Sequence, residues 1–253
     1  MKRGVFLIFC AAAYAQDPFE IHVYEYEKLR PLQFTLEQHL NYVGIGTKIP
    51  MGPLAPTNNQ LHLTHELTAG VAESFSIGFM LLAGRVPGRG LEYAGWRLLP
   101  HFYARQSWHL PVKLGLVTEF SFQRTLFEEN SRRVEIRPIL EKSFGRVQID
   151  FNPVFVRALH GPGTREGWNF EPAFRIGYEA DKRFVPSLEY YSAAGPLPNF
   201  LPLHDQIHVF LPGADFHFGE RFTWSAGAGI GATPAGNRVV YKSRLEFEFG
   251  KRD

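Results

Sequence analysis

The sequence predicts an all-β chain closed as a single transmembrane antiparallel up-and-down β-barrel of about twelve strands, and three observations predict it. Apolar and polar residues alternate with period two in segment after segment from residue 33 onward. Tight polar turns alternate with longer, Gly- and Pro-rich connections. The apolar face of the strands ends in aromatic rings at both of its limits.

At the N-terminus, Lys2 and Arg3 precede an apolar run from Val5 to Ala13 that is too short to cross a bilayer. Ala13-Tyr14-Ala15 then offers small residues where a signal peptidase reads them, so residues 1–15 are expected to be a signal peptide cleaved before Gln16. The single cysteine, Cys10, lies inside that run behind the bulky Phe9, which argues against lipidation and leaves no thiol in the exported chain. Losing Lys2 and Arg3 brings Lys+Arg level with Asp+Glu at 25 each, and a neutral chain gives no nucleic-acid footprint. Residues 16–32 alternate only in part, from Ile21 to Glu27, before Pro31. They are expected to form a periplasmic extension, with a short inward plug or a docking strand as the other readings.

The strands follow in order. Phe34, Leu36, Leu40 and Tyr42 oppose Thr35, Glu37, His39 and Asn41; Leu61, Leu63 and Leu67 oppose His62, Thr64 and Glu66. Phe75, Ile77, Phe79 and Leu81 oppose Ser76 and Gly78, and Trp96, Leu98 and Phe102 oppose Arg97 and His101. Leu114, Leu116, Phe120 and Phe122 oppose Lys113, Glu119 and Gln123; Val134, Ile136 and Leu140 oppose Arg133, Glu135, Arg137 and Glu141. Val147, Ile149, Phe151 and Phe155 oppose Gln148, Asp150 and Asn152; Trp168, Phe170, Phe174, Ile176 and Tyr178 oppose Asn169, Glu171 and Arg175. Leu188 and Tyr190 flank Glu189, Phe210 and Phe216 oppose Asp215 and His217, and Phe222, Trp224 and Ile230 oppose Thr223 and Ser225. Last, Val239, Tyr241, Leu245, Phe247 and Phe249 oppose Arg238, Lys242, Arg244, Glu246 and Glu248. Segments of about 9–11 residues are long enough to cross a bilayer at a tilt.

Tight turns fall at 71–73, 105–110, 143–145, 179–182 and 218–221; longer connections fall at 44–58, 84–91, 124–131, 159–166 and 193–204, with a shorter one at 233–237. Outside the N-terminus no run reaches the roughly 18 apolar residues of a spanning helix. A soluble sandwich has no reason to alternate its connections, whereas an outer-membrane barrel turns tightly in the periplasm and loops outside. Phe34, Tyr178, Trp224 and Phe249 are expected near one rim, and Tyr42, Trp168 and Tyr241 near the other, where a bilayer's interfaces favour amphipathic rings. A soluble barrel would point the apolar face inward.

The last strand, Val239-Tyr241-Leu245-Phe247-Phe249, is similar to the C-terminal signal that Gram-negative barrels present to the insertion machinery, although here Gly250-Lys251-Arg252-Asp253 follow the aromatic. Over most of the exported chain the sequence resembles an uncharacterised family of acidobacterial outer-membrane proteins, through FEIHVYEYE (19–27), APTNNQLHLTHELTAG (55–70), RPILEKSFGRVQIDFNPVF (137–155) and GNRVVYKSRLEFEFG (236–250). That resemblance implies the outer membrane of a Gram-negative bacterium and names no solute. The barrel is thus expected over 33–250, with 251–253 as a tail and surrounding outer-membrane lipid as a partner.

The polar faces would line the lumen with Glu37, His39, His62, Glu66, Arg97, Lys113, Glu119, Arg133, Glu135, Arg137, Glu141, Asp150, Glu171, Arg175, Glu189, Arg238, Lys242, Arg244, Glu246 and Glu248. Acidic and basic walls of this kind either orient small polar or ionic solutes in a passive channel or interlock as salt bridges that close the barrel for a structural or binding role. A rim-located lipid-modifying enzyme is the third reading, and it would need polar partners on the apolar face, where Gln38, His65, Thr118 and Ser243 are scattered over four strands. No GxSxG, HExxH or phosphate-loop motif occurs, and no cofactor is expected. His204 and His208, with Asp205 between them, leave a loop metal site as a minor option.

Overall fold

The computed structural model describes residues 17–251; the expected signal peptide and the last two residues of the tail lie outside the described residues. Twelve strands form one closed antiparallel ring. They are β1 (Gln33–Ile45), β2 (Leu61–Ala72), β3 (Phe75–Arg85), β4 (Leu91–Tyr103), β5 (Lys113–Gln123) and β6 (Arg132–Phe144). β7 comprises Val147–Asn152 and Phe155–His160, and β8 comprises Trp168–Phe170 and Ala173–Tyr178. β9 (Phe184–Ala193, with Gly195–Pro196 beyond it), β10 (Ile207–Phe218), β11 (Phe222–Gly231) and β12 (Val239–Gly250) complete the ring. Each strand pairs with its sequence neighbours, and β12 returns to β1 from Gln33↔Gly250 to Tyr42↔Tyr241. No edge is left open, as a hydrocarbon environment requires.

Proline sits at both interruptions. Pro153 and Pro172, which cannot donate to a ladder, fall where β7 and β8 break side by side. The lower half of β6 therefore pairs with Val147–Asn152 and its upper half with Phe155–His160. Tight turns collect at one end of the ring and long connections at the other.

Register decides which face is outside. Phe120, Phe151 and Phe247 are 39%, 38% and 42% exposed, while their chain neighbours Glu119, Asp150 and Glu246 are 3%, 0% and 8% exposed. The apolar phase thus faces outward and the charged phase inward, the reverse of a soluble barrel. Paired rings mark both limits of the outer band: Phe34 stacks on Phe249 at 5.3 Å near the short-turn end, and Tyr42 on Tyr241 at 6.3 Å near the long-loop end.

The expected periplasmic extension is not outside the barrel. From Asp17 the chain runs down the inside of the lumen, from the long-loop end to the short-turn end, and Phe19, Ile21, Val23 and Tyr24 are buried. It then runs into the start of β1, where the Leu32 amide donates to the Gly70 carbonyl at 3.0 Å. Only glycine fits there, since a Cβ at position 70 would lie 2.0 Å from the Arg30 carbonyl oxygen. The physical reason for the inward course is that Ile21 and Val23 gain a dry wall, while the segment's carboxylates gain arginine partners.

Candidate functional site

The lumen is the candidate site, and it is built from three layers of contact to the inner segment. Wall side chains first satisfy the segment's backbone. Asn41 Nδ2 donates to the Pro18 carbonyl at 3.0 Å and Thr64 Oγ1 to the Phe19 carbonyl at 2.8 Å. The Tyr26 amide donates to Glu141 Oε2 at 2.7 Å. Near the short-turn end, Tyr26 Oη donates to the Ala104 carbonyl.

Ion pairs form the second layer. Arg97, 1% exposed, reaches Asp17, Glu20 at 3.1 Å and Glu119 at 3.3 Å. Arg133 meets Asp17 at 3.1 Å and Glu128 at 3.3 Å. Arg137 meets Glu20 at 3.4 Å and Glu135, and its guanidinium lies 4.2 Å from the Tyr24 ring centroid. Arg175 joins Glu25 and Asp150, both at 3.2 Å, and also Asp215. Buried charges of this density are tolerable only because they meet opposite charges.

Apolar contact is the third layer. Phe19 and Tyr24 pack with Met80, Leu82, Leu99, Val117 and Ile139 on the β3–β6 wall. Ile21 and Val23 pack with Val43, Tyr191, Val209, Leu211 and Val240 on the opposite wall. Phe127 folds in from the β5–β6 connection to meet Phe19 edge-on at 5.7 Å. Sequence reasoning missed this dry layer. Its signal was present: β3 reads Phe79-Met80-Leu81-Leu82-Ala83, apolar on both phases, which marks a strand covered on both faces.

The residues expected to line the lumen differ in burial. Glu37, His39, Glu66, Arg97, Glu119, Arg137, Glu141, Asp150, Arg175, Glu189, Lys242, Arg244 and Glu246 are buried, and Arg133, Glu135, Glu171 and Glu248 are partly buried. Lys242 joins Glu189 at 2.6 Å, and Arg244 joins Glu37 at 3.0 Å and Glu246 at 3.1 Å. His62 makes a ring contact instead of an ion pair, meeting Phe19 at 4.6 Å. Lys113 is half-exposed and holds Glu141 at the short-turn end. Arg238 departs from the expectation: it is exposed in the β11–β12 connection, because β12 begins only at Val239.

Of the four polar residues of the outer face, three lie on the neighbouring strands β12, β1 and β2, with Ser243 opposite Leu40 and so diagonal to Gln38, while Thr118 stands apart. Gln38 and His65 are cross-strand neighbours, Ser243 accepts from Trp224 Nε1 at 3.0 Å, and Thr118 sits on β5. In the β9–β10 region, His204 pairs with Asp205 at 3.1 Å, whereas Nδ1 of His208 faces Tyr190 Oη at 2.6 Å.

Below the segment, a cavity of about 500 Å³ opens at the short-turn end. Glu25, Glu27, Glu179, Asp181, Asp215, Glu246 and Glu248 line it beside Arg146, Arg175, Lys182 and Arg244, so acid prevails.

Among solved structures, the COG4313 outer membrane channel from Pseudomonas putida F1 is similar over 91% of this chain and 100% of its own, at TM-score 0.62 and 11% identity. The NanC porin is similar over 87% of this chain and 100% of its own, at TM-score 0.55 and 6% identity. The KdgM porin is similar over 85% and 99%, at TM-score 0.54 and 10% identity. At such identities the likeness is one of fold: this chain has the barrel of outer-membrane porins. No family model and no curated protein matches the sequence.

Proposed function

We propose that this chain is a passive channel of a Gram-negative outer membrane for small polar or ionic solutes, held closed by its own residues 17–31. In this reading the short turns face the periplasm, the long connections face outside, lipid contacts the apolar band, and β12 engages the insertion machinery.

The supporting observation is how the lumen is filled. About eight strands enclose a space that side chains alone fill. Twelve enclose more, and here the excess is taken up by a segment that belongs to no ladder. The ring closes through its own strand pairs, so the segment can leave without opening the sheet. Water would then hydrate Arg97, Arg133 and Arg137. With Arg238 outside, inward-facing carboxylates outnumber inward-facing cations, so the open lumen favours cations.

The dry clusters on both sides of the segment favour a second reading, a permanently closed barrel with a structural or binding role. Planar-bilayer conductance separates the two. The refolded chain from Gln16 onward is compared with a variant lacking residues 16–30. The channel reading expects rare openings from the first and steady, cation-preferring steps from the second. A deletion variant that folds, by heat-shifted gel mobility, yet passes no current would establish the closed barrel.

A further inference from the structure

We propose that Glu37, His39 and Glu66 bind a divalent transition-metal cation of the zinc class. The three residues face the lumen from adjacent strands, and all are buried, with exposures of 6%, 1% and 3%. One ligand atom from each lies within 4.8 Å of the others. His39 Nε2 stands 3.3 Å from Glu37 Oε2 and 3.9 Å from Glu66 Oε2. Zinc bonds of about 2.0–2.2 Å place tetrahedral ligand atoms roughly 3.3–3.6 Å apart, which the His39–Glu37 pair already meets and to which the Glu66 carboxylate must draw closer.

The arrangement of charge favours a cation here. In the ladders Glu66 lies directly opposite Glu37, and Glu37 directly opposite Glu246. Like charges so placed repel. Arg244 contacts Glu37 and Glu246 and carries a single positive charge. Glu66 meets no Lys or Arg among the described residues; its Oε1 accepts from Thr68 Oγ1 at 2.9 Å.

The histidines point to the same ligand independently. His39 Nε2 has no hydrogen-bond partner among the described residues, and neither does Nε2 of His101 on β4, which is 5% exposed. His101 Nε2 aims at the space left by Gly78: a Cβ built there would lie 3.4 Å from it and 3.1 Å from Glu66 Oε1. A side chain at 78 would block this approach, and glycine leaves it clear. Imidazole nitrogen beside carboxylates suits zinc, cobalt or nickel better than calcium or magnesium. The acid-lined cavity supplies the way in, since ligand atoms of Glu27 and Glu246 lie within 4.8 Å of one on Glu37.

The proposal does not depend on whether the lumen conducts. Its test is calorimetric titration of ZnCl2 into the refolded, chelator-stripped mature chain in detergent, with CoCl2 titrated in parallel for its visible absorption. One Zn2+ per chain is expected, with magnesium and calcium unable to displace it. His39→Ala and Glu66→Gln should each weaken binding at least tenfold, while His204→Ala, on the exposed loop, should leave it unchanged. No zinc uptake by the wild-type chain would overturn the proposal, as would wild-type affinity in both lumen variants. If those variants fail to fold, X-ray absorption of the wild-type zinc complex decides: histidine nitrogen with carboxylate oxygen supports the site, and an all-oxygen shell refutes it.

Discussion

Tyr24 and Asn152 exchange two hydrogen bonds across the lumen: the Tyr24 amide donates to Asn152 Oδ1 at 2.7 Å, and Asn152 Nδ2 donates to the Tyr24 carbonyl at 3.0 Å. One side chain of β7 thus satisfies both backbone groups of a residue that pairs with no strand. Asn152 is fully buried, so truncation leaves both groups without a partner. Asn152→Ala is expected to weaken seating of the segment by about 2 kcal/mol, roughly thirtyfold in its release. The chain from Gln16 onward carries no thiol, so in that chain the maleimide reaction rate of a cysteine placed at the buried Ile21 reads the release directly.

Arg97 is the hub of the ionic layer, touching two carboxylates of the segment and one of the wall. Arg97→Met leaves Asp17 with Arg133 and Glu20 with Arg137 but takes from Glu119 its cation, and should cost about 3–5 kcal/mol. Glu119→Gln in the same background should recover part of that loss, because the pair acts as a unit. A double-mutant cycle on urea unfolding from lipid vesicles measures the recovery, and additive losses would refute the coupling.

Phe127 closes the long-loop end, 6% exposed and set against both Phe19 and His62. Phe127→Ala opens a cavity worth about 3 kcal/mol and should raise the frequency of spontaneous conductance steps. Gly84→Ala should act in the same direction more weakly, since its Cβ would lie 2.5 Å from Phe127 Cε1.

Phe120 tests the outer face. Phe120→Arg should destabilise the folded barrel in vesicles by about 2–4 kcal/mol, whereas Phe120→Leu should be nearly neutral. Equal stability of the two would show that this band does not contact hydrocarbon.

The strands were legible in the sequence because a half-buried strand must alternate, and a one-residue slip would turn Glu119 or Asp150 toward lipid. The connections were legible for a related reason: short turns carry Gly, Asp and Lys, as in Glu179-Ala180-Asp181-Lys182. The course of the inner segment was not legible. Glu20, Glu25 and Tyr24 find their partners 77 to 150 positions away, and local pattern holds no record of such distances. The remaining clue was indirect. Met80, Leu82, Leu99, Val209 and Leu211 occupy the phase reserved for polar residues, which makes sense only if something dry lies inside.

Sealing the ring and drying its interior rest on separate sets of contacts. The seam joins the first strand to the last, bringing Glu37 to Arg244 across 207 positions, and it forms from strand pairs alone. Seating the segment needs both walls, one from β3 to β6 and the other from β1, β9, β10 and β12. Wall and stopper are therefore independent parts, and a change that unseats the segment leaves the seam intact.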